Sequence, residues 1–443
     1  MTMPEHQESQ AHAAAHPPSG TAGFQRETQR PAMADATLRP RLKSANASIN
    51  LILNCGSSSL KYKVFESGTE NCLTGGLVER IGAPDAVITH KACNGNPLDR
   101  ISGEVKNHSA AISMVLERIL GAGGFSKKQL KAVGHRVVHG GKYSEPVVVN
   151  DEVKQYLKEV TFELAPLHNP FNFEGIAAAE KNLPGVPNVA VFDTAFHQTI
   201  PDFAYMYALP YRYYTKHLVR KYGFHGTSHQ HVSLRAAEML KKPLSKTKLV
   251  TCHLGNGASL AAVRNGKCED TSMGYTPLEG VMMGTRCGDI DPAAVLHVMM
   301  CEELSMHDMD TILNRQSGLV GVSGISNDLR DIIKAADDGN ERAALAFKMY
   351  CYRIKKYIGA YITLLNGADA IVFTAGVGEN SPPVRAEVLK NLENIGIITD
   401  PVLNRAMISG REGEISSASS PVKVFVIATD EELMISRLAD KMT

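Results

Sequence analysis

Short apolar runs rich in β-branched residues recur along this chain and alternate with helical patterns, and this alternation constrains its fold most. Such runs are typical of buried strands, and they cover residues 49–54, 60–65, 133–138, 189–192, 249–254, 370–374 and 422–428. Between them, apolar residues at steps of three or four over 340–366 predict a long helix that ends at Asn366-Gly367. The alternation of the two patterns predicts an α/β fold.

A weak internal similarity bears on the topology of that fold. The turn Gly56-Ser57-Ser58-Ser59 joins the first two runs and predicts a hairpin. About 200 residues later, His253 through Leu260 again follows an apolar strand with a loop of small residues. Two related α/β halves that face one another across a cleft would explain the similarity. Chance likeness of two turns rich in Gly and Ser is the alternative interpretation.

The first 47 residues differ in composition from the rest of the chain. They include Pro17-Pro18, Phe24 as the one aromatic residue, and neither Val nor Ile. Such a segment cannot bury enough apolar surface to offset its ordering entropy, so we predict a disordered tail over residues 1–47. It lacks the apolar stretch of a secretory signal. A transit peptide, a solvated tail and a true start at Met33 all stay open.

Overall charge and cysteine usage exclude several classes of protein. Lys and Arg number 47 against 46 Asp and Glu, so no nucleic-acid partner is expected. No run approaches the ~18 apolar residues of a membrane span, so no membrane partner is expected either. The scattered cysteines contain no C-x-x-C pair, which argues against a disulfide framework and favours a cytoplasmic location. They are Cys55, Cys72, Cys93, Cys252, Cys268, Cys287, Cys301 and Cys351.

Four loops that follow strands consist largely of small or polar residues. They are Gly56-Ser57-Ser58-Ser59, Gly255-Asn256-Gly257, Gly376-Val377-Gly378-Glu379-Asn380 and Thr429-Asp430-Glu431-Glu432. Small residues leave backbone N–H groups accessible to phosphate oxygens. Several such loops in one α/β chain indicate a nucleotide. Neither the P-loop nor the G-x-G-x-x-G fingerprint occurs, so a P-loop NTPase or an NAD-dependent oxidoreductase has no positive support.

Two arginines and a histidine are candidates for binding a phosphoryl group. Arg136 lies inside an apolar strand, Arg286 lies in a loop, and His225 stands four residues before His229. Each alone is more often structural, but together they suit the charge of a phosphoryl group in transfer. Asp193 and Glu431 are candidates for Mg²⁺. A zinc site at the two histidines lacks a third ligand.

Six separated motifs occur in the order typical of one family. They are Asn54-Cys55-Gly56-Ser57-Ser58-Ser59-Leu60-Lys61, Gly134 to Gly141, Ala165-Pro166-Leu167-His168-Asn169-Pro170, Arg220 to His229, His253 to Gly257, and Phe373 to Ser381. On these motifs residues 49–438 resemble the acetokinase family, in the superfamily of actin, sugar kinases and Hsp70 ATPases. The resemblance implies a homodimer, and two duplicated actin-like (ribonuclease H-like) domains with the active site in the cleft between them. The domains would comprise 48–197, rejoined by a helix over 432–443, and 198–431.

The resemblance also implies roles for individual positions. Mg²⁺, which Mn²⁺ could replace, would lie at Asn54 and Glu431. ATP or ADP phosphates would bind Ser57, Ser59 and Lys61 on one side and His253, Leu254, Gly255, Asn256 and Gly257 on the other. Adenosine would lie against Asp328, Leu329, Arg330 and the loop Gly376, Val377, Gly378, Glu379 and Asn380. The catalytic residues would be Asp193, His225, Arg286 and Arg136, and Val138, Leu167, Phe224 and Pro277 would line a pocket for the substrate methyl group beside Arg136.

The implied activity is reversible, Mg²⁺-dependent, direct in-line transfer from ATP to acetate, which gives acetyl phosphate and ADP. A carboxylate nucleophile with a pKa near ~4–5 is already ionised at pH 7, so the reaction needs no general base. Asp193 is therefore expected to orient Mg²⁺ or an arginine. The acidic turn leaves open which of Glu431 and Glu432 faces the metal.

Other functions compete with this one. Propionate or another short-chain acid could be the acceptor, because one methylene in an apolar pocket is worth only about 1–3 kcal/mol. Pyrophosphate could replace ATP as the donor. A catalytically idle, actin- or chaperone-like nucleotide clamp is a third alternative, although nucleotide binding alone does not require Arg136, Arg286 and His225 together.

Overall fold

The computed structural model describes residues 47–92, 97–122, 124–166 and 168–443. The predicted disordered tail therefore lies outside the described residues, except for its last residue, and so does Leu167. Within the described residues, no helix combines the length and the apolar character that crossing a bilayer requires.

Fourteen strands occur in the described part of the chain. They are β1 (Ile49–Cys55), β2 (Ser59–Glu66), β3 (Cys72–Glu79), β4 (Ala86–Ala92), β5 (Pro97–Gly103), β6 (Leu130–Val137), β7 (Val147–Val148), β8 (Asn188–Phe192), β9 (Lys248–Leu254), β10 (Ala258–Arg264), β11 (Lys267–Thr271), β12 (Ala370–Thr374), β13 (Gly413–Glu414) and β14 (Lys423–Val426). Every apolar run identified in the sequence contributes to one of them.

The strands form two sheets whose central parts have the same order. The first sheet runs β5-β4-β3-β2-β1-β6-β8-β7 and the second runs β11-β10-β9-β12-β14-β13. In each, three antiparallel strands (β1 to β3 and β9 to β11) form a meander. The first strand of each meander also pairs in parallel with a later strand, which pairs in parallel with one more. The predicted α/β fold with two duplicated, actin-like halves is thus confirmed, and the similarity between the two Gly-rich turns reflects a repeated topology.

The described part of the chain contains sixteen α-helices, several of which pack on the faces of the two sheets. They are α1 (His108–Leu116), α2 (Asp151–Tyr156), α3 (Phe162–Leu164), α4 (Asn169–Asn182), α5 (Asp202–Tyr205), α6 (Arg212–His217), α7 (Gly226–Met239), α8 (Pro292–Cys301), α9 (Met306–Arg315), α10 (Gly318–Ser323), α11 (Leu329–Asp337), α12 (Glu341–Leu364), α13 (Ala375–Asn380), α14 (Pro382–Leu389), α15 (Pro401–Ala406) and α16 (Glu431–Met442). The long helix predicted after residue 340 is α12. Asn340 caps its start, and Asn366 and Gly367 adopt positive φ just after its end.

The last helix returns to the first sheet. Leu433, Ile435 and Ala439 of α16 are buried together with Ile52 of β1 and Val191 of β8. The apolar face of α16 therefore holds the chain terminus against the strands that begin the fold, as a rejoining helix requires. The domain boundaries themselves stay a prediction.

Cysteine pairing differs in one respect from the expectation. Six described cysteines are free thiols, but Cys72 at the start of β3 is disulfide-bonded. Sequence spacing does not reveal such a pair, because a disulfide requires only that two Cβ atoms meet in space. The absence of a C-x-x-C motif was therefore not sufficient to exclude a disulfide.

Candidate active site

The candidate site lies at the strand ends where both sheets place their polar loops. Parallel strands β1, β6 and β8 end at one edge of the first sheet, and β9, β12 and β14 end at one edge of the second. Loops at the carboxyl ends of parallel strands are the usual location of ligands in α/β folds. Asn54, Arg136, Asp193, His253 and Glu431 all lie in or just beyond these strand ends.

Arg136 and Asp193 form a bidentate ion pair at the edge of the first sheet. Arg136 Nε donates to Asp193 Oδ1 at 3.0 Å and Nη2 donates to Oδ2 at 2.5 Å. Arg136 Nη1 also lies 3.4 Å from Asn54 Oδ1. Burial opposes the charge of Arg136, but Asp193 and Glu431 raise the pKa of this guanidinium above its usual value. Asp193 thus orients an arginine, which is one of the two roles expected for it.

Arg286 is in a different environment. No carboxylate among the described residues forms an ion pair with it, and its Nη1 approaches only Pro277 O at 3.5 Å and Met283 Sδ at 3.9 Å. Burial lowers the pKa of Arg286 from its ordinary value. A partly buried guanidinium without an anion is costly, so a bound anion would stabilise it.

The side chains of His225 and Arg286 both approach the backbone of Gly257. A Cβ placed on Gly257 would lie 3.2 Å from Arg286 Nη1 and 3.8 Å from His225 Nε2. His225 has the left-handed conformation (φ 57°) immediately before α7, and its ring stacks on His253 with 4.1 Å between centroids. Burial, with the electrostatic influence of neighbouring His253 and Arg136, lowers the pKa of His225 well below its usual value. The imidazole is therefore neutral at pH 7.

The two arginines and His225 converge on one region. Arg136 and Arg286 both lower the pKa of His225. Both also lower the pKa of His168, in addition to the larger effect of burial. The structure thus brings together the three side chains that the sequence identified separately. His168 was not among the predicted site residues. It stood in one of the six motifs, but a single histidine between Leu167 and Asn169 gives no functional signal by itself.

A cavity of about 510 Å³ unites the two segments predicted to border adenosine. Eight predicted residues line it: Gly255, Asn256, Asp328, Leu329, Arg330, Gly376, Val377 and Asn380. Four lining residues were missed, namely Leu319, Asn327, Ile333 and Ser381. Three of these lie within three residues of a predicted position, so proximity along the chain could have identified them.

Two residues of the predicted adenosine loop face elsewhere. Glu379 accepts a hydrogen bond from Thr429 N at 3.0 Å and from Thr374 Oγ1 at 3.5 Å. Gly378 is buried, and a Cβ there would contact the Phe373 backbone at 3.4 Å. These two positions therefore hold α13 against its neighbours and are not part of the cavity lining.

The two glutamates of the acidic turn, Glu431 and Glu432, have different charged neighbours. Glu432 is buried and forms ion pairs with Lys61 at 2.8 Å and Lys63 at 3.4 Å. Oε1 of Glu431 and Oε1 of Glu432 are both buried without a hydrogen-bond partner among the described residues, but Glu431 forms no ion pair with them, whereas Glu432 does. Burial opposes its charge, but Arg136, His253 and Lys61 hold the pKa of Glu431 below its usual range. Glu431 is therefore an ionised carboxylate with a free oxygen.

These oxygen donors fit a hard divalent cation. Glu431 Oε1 is available, and the one contact of Asn54 Oδ1 within the described residues is the long one with Arg136. Mg²⁺ prefers such oxygen ligands. No group of three or more His, Cys, Asp or Glu that could hold a metal occurs in the described part of the chain. Because Mg²⁺ commonly completes its coordination with water and substrate phosphates, these two oxygens are candidate ligands for it.

The remaining predicted residues lie beside this centre. Val138 and Phe224 are buried in one apolar cluster, and Pro277 is half-buried with its carbonyl directed towards Arg286. Ser57 is exposed and Ser59 half-buried in the tight turn after β1. Lys61, expected on the phosphate side, uses its ammonium group to bind Glu432.

Two sheets whose central strands have one order, with phosphate-compatible loops on both sides of charged residues, define a duplicated actin-like α/β fold with a candidate site for a phosphorylated ligand. A model of the acetokinase family matches residues 49–437, and the chain belongs to that family. The family predicted from the six motifs is thus confirmed.

Named relatives and solved structures agree with this assignment. The acetate kinase of Caldicellulosiruptor saccharolyticus is 54% identical over 391 residues, which cover 87% of this chain and 97% of that protein. The acetate kinase of Caldanaerobacter subterraneus subsp. tengcongensis is 54% identical over 397 residues, 88% of this chain and 98% of the relative. The crystal structure of Porphyromonas gingivalis acetate kinase has a TM-score of 0.83 at 46% identity, covering 88% of this chain and 98% of that one. A propionate kinase structure from Francisella tularensis has a TM-score of 0.82 at 39% identity, covering 89% and 100%.

Proposed function

We propose that this chain catalyses reversible, Mg²⁺-dependent transfer of the γ-phosphoryl group of ATP to acetate, which gives acetyl phosphate and ADP. The observation that carries the proposal is the convergence of Arg136, Arg286 and His225 beside Gly257 and a cavity large enough for a nucleoside. Membership of the acetokinase family and relatives named acetate kinase support the same function. The prediction of an acetate kinase is borne out by the family and the named relatives, while the Mg²⁺ dependence and the in-line transfer stay predictions.

Each charged group has a distinct part in this reaction. The unpaired Arg286 binds the transferring phosphoryl group, and Arg136, held by Asp193, binds the acceptor carboxylate. His225 donates an N–H to the equatorial oxygens that gain charge during transfer. Asn54 and Glu431 would hold Mg²⁺, which when bound neutralises phosphate charge. The acetate oxygen attacks phosphorus as ADP leaves, and no proton has to be removed from the acceptor.

The acceptor is proposed to be acetate because relatives that are 54% identical are named acetate kinase. Val138 and Phe224, which were predicted to line the methyl pocket, are 8% and 3% exposed and lie in one apolar cluster. A propionate kinase with the same fold is also among the similar structures. Since one methylene changes the free energy by only about 1–3 kcal/mol, propionate is expected as a weaker substrate.

Acyl-hydroxamate formation tests the proposal directly. The purified chain is incubated with ATP, Mg²⁺ and acetate, propionate or butyrate side by side, and kcat/KM is measured for each. The highest value is expected for acetate, with no product when Mg²⁺ is omitted or when pyrophosphate replaces ATP. If kcat/KM is highest with propionate, the acceptor is propionate and not acetate. Product formed without added ATP would contradict the assignment of ATP as the phosphoryl donor.

A homodimer is proposed on the exposed face of α8. This ten-residue helix contains no buried residue, and its Leu296 and Met300 are 62% and 79% exposed. An apolar helix that a single chain leaves uncovered is typical of a subunit interface. Light scattering should give twice the chain mass. The double variant Leu296→Asp/Met300→Asp should be monomeric, whereas Val402→Asp, at an exposed apolar residue of α15, should stay dimeric.

A cytoplasmic location stays a prediction that fractionation of cells can test.

A further inference from the structure

Four side chains form a hydrogen-bonded chain behind the ring of His225, which we call the relay: Thr251, His229, Ser259 and His225. Thr251 Oγ1 lies 2.7 Å from His229 Nδ1, His229 Nε2 lies 2.8 Å from Ser259 Oγ, and Ser259 Oγ lies 2.9 Å from His225 Nδ1. Thr251, His229 and Ser259 are completely buried, so water does not compete for these bonds.

Counting hydrogens decides the direction of the relay. If Thr251 donates to His229 Nδ1, then His229 Nε2 carries a proton and donates to Ser259, and Ser259 donates to His225 Nδ1. Every relay hydrogen then has an acceptor. In the opposite direction His229 Nδ1 donates to Thr251, and the Thr251 hydroxyl hydrogen is left buried without an acceptor among the described residues. An unsatisfied buried donor costs about 1–3 kcal/mol, so the first direction is favoured.

We propose that the relay from Thr251 through His229 and Ser259 fixes His225 as the neutral tautomer protonated on Nε2, so that an uncharged N–H faces the phosphoryl site. The Nε2 atom lies 3.8 Å from a Cβ position on Gly257, where Arg286 Nη1 also approaches. Thr251, His229 and Ser259 are thus positioning residues that act through His225. This inference rests on the proposed function only for its catalytic consequence, because the tautomer exists in the ligand-free protein.

Two further observations fit this assignment. Burial and the neighbouring histidines lower the pKa of His229 well below its usual value, so the relay has no protonated imidazole. His253, stacked on His225, has an equivalent partner, because Thr429 Oγ1 donates to Ser228 Oγ at 2.8 Å and Ser228 Oγ lies 2.7 Å from His253 Nδ1. The Ser228 hydroxyl is therefore free to donate to His253 Nδ1.

A neutral donor has an advantage beside two guanidinium groups. A third positive charge would be repelled by Arg136 and Arg286, both of which act on His225. A neutral N–H is not repelled by the two guanidinium groups when the site is empty. It still stabilises the phosphoryl oxygens that gain negative charge during transfer. A wrong tautomer would direct a lone pair at those oxygens, which explains why orientation of the imidazole matters.

Long-range ¹H–¹⁵N correlation spectra of the full chain, labelled with [¹⁵N]histidine and deuterated elsewhere, test the tautomer. The His225 signals are assigned by their loss in His225→Asn. We expect a protonated Nε2 and an unprotonated Nδ1 at pH 7 without ligands. A protonated Nδ1, or protons on both nitrogens, would overturn the proposal and leave the proposed acetate kinase function untouched.

Kinetics of matched variants test the consequence. Ser259→Ala removes the donor to His225, and kcat should fall about 10- to 100-fold, with KM for ATP and acetate within about two-fold. Thr251→Val keeps the side-chain volume without the hydroxyl and should lower kcat about 3- to 10-fold, whereas Thr251→Ser should restore most of it. Ser233→Ala is the control, because the buried Ser233 hydroxyl donates to the His229 carbonyl on the same helix and has no other partner in the described part of the chain.

The outcomes separate the relay from a structural effect. Lowered kcat in Thr251→Val with recovery in Thr251→Ser, at equal melting temperatures, supports the relay. Equal rates for these two variants, or a loss in Ser233→Ala as large as in Ser259→Ala, would contradict it. No acetyl phosphate from the wild-type chain would refute the proposed function, while the spectra would still report the tautomer.

Discussion

The two sheets share a strand order but present different chemistry at the edges that carry the site. At the first sheet the polar groups are charged and paired, as in the bidentate contact between Arg136 and Asp193. At the second sheet they are mainly backbone groups and neutral side chains, as in the loop Gly255–Gly257 and His253. The repeated topology therefore brings polar loops to corresponding edges of both sheets, while the side chains at those edges differ between the two halves.

The two arginines, Arg136 and Arg286, illustrate this difference in charge pairing between the two halves. Arg136 is held by a buried carboxylate of the first sheet, whereas Arg286 lies in a loop of the second half without an anionic partner among the described residues. Removing one partner of a buried ion pair leaves an uncompensated charge, which is strongly destabilising. Removing an unpaired arginine leaves no such charge. The two residues should therefore have equal importance for catalysis and unequal importance for stability.

The largest effect is expected for Arg136→Ala and Arg286→Ala. Each should lower kcat/KM by at least ~10²-fold, because each neutralises charge in transfer. Arg136→Ala should also lower the free energy of unfolding by about 3–5 kcal/mol, since Asp193 stays buried, while Arg286→Ala should leave it nearly unchanged. Hydroxamate kinetics and urea unfolding measure the two quantities. Near-wild-type rates in both variants would contradict the proposed roles, and equal stability losses would contradict the comparison.

The two glutamates of the acidic turn should separate metal binding from stability. Glu431→Gln should raise the Mg²⁺ concentration for half-maximal activity about tenfold or more, because a neutral amide replaces the free carboxylate oxygen. Glu432→Gln should change this concentration little but lower stability, because Lys61 and Lys63 lose their buried partner. The matched pair answers which glutamate faces the metal. A reversed pattern would assign Glu432 to Mg²⁺.

Buried histidines in both halves should make the free energy of unfolding fall as the pH is lowered. Burial lowers the pKa of His135, in β6, to about 4 and that of His197, which contacts Cys268 of β11, also to about 4. Below pH 6.5 the unfolded chain binds protons that these folded histidines reject, so stability falls as the pH is lowered towards 4. Each such histidine contributes about 1.4 kcal/mol per pH unit. His135→Gln or His197→Gln should reduce the slope of unfolding free energy between pH 6 and 4.5, and an unchanged slope in both would contradict the neutral, buried state.

The smallest effects are expected at two glycines of the second half. A Cβ on Gly257 would lie 3.2 Å from Arg286 Nη1, so Gly257→Ala should displace that guanidinium and raise KM for ATP several-fold, an effect of ~1 kcal/mol. A Cβ on Gly376 would have no atom of the described residues within 4 Å, apart from its own chain neighbours and helix backbone. Gly376→Ala should leave stability unchanged and weaken ATP binding only if adenosine lies against this loop. Equal ATP affinity in Gly376→Ala and wild type would place the adenosine elsewhere in the cavity.

Much of the site could be predicted because its residues occur in local patterns. Gly255, Asn256 and Gly376 were identified as small-residue loops after apolar strands, and the structure places all three at one cavity. The role of Glu379 could not be predicted, since its bond to Thr429 joins segments 50 residues apart. The disulfide of Cys72 and the proximity of His168 to both arginines were missed for the same reason.

The sequence by itself determined the α/β alternation, the family and the residue types available for phosphoryl chemistry, because hydrophobic periodicity and small-residue loops are local properties of the chain. Only the tertiary structure decided which charges are paired. Asp193 is 57 residues from Arg136, Lys61 and Lys63 are more than 360 residues from Glu432, and Thr251 is 22 residues from His229. Pairing of buried polar groups depends on contacts between strands and helices that are distant in sequence, and these contacts fix the charge of each group and the nitrogen on which each imidazole carries its proton.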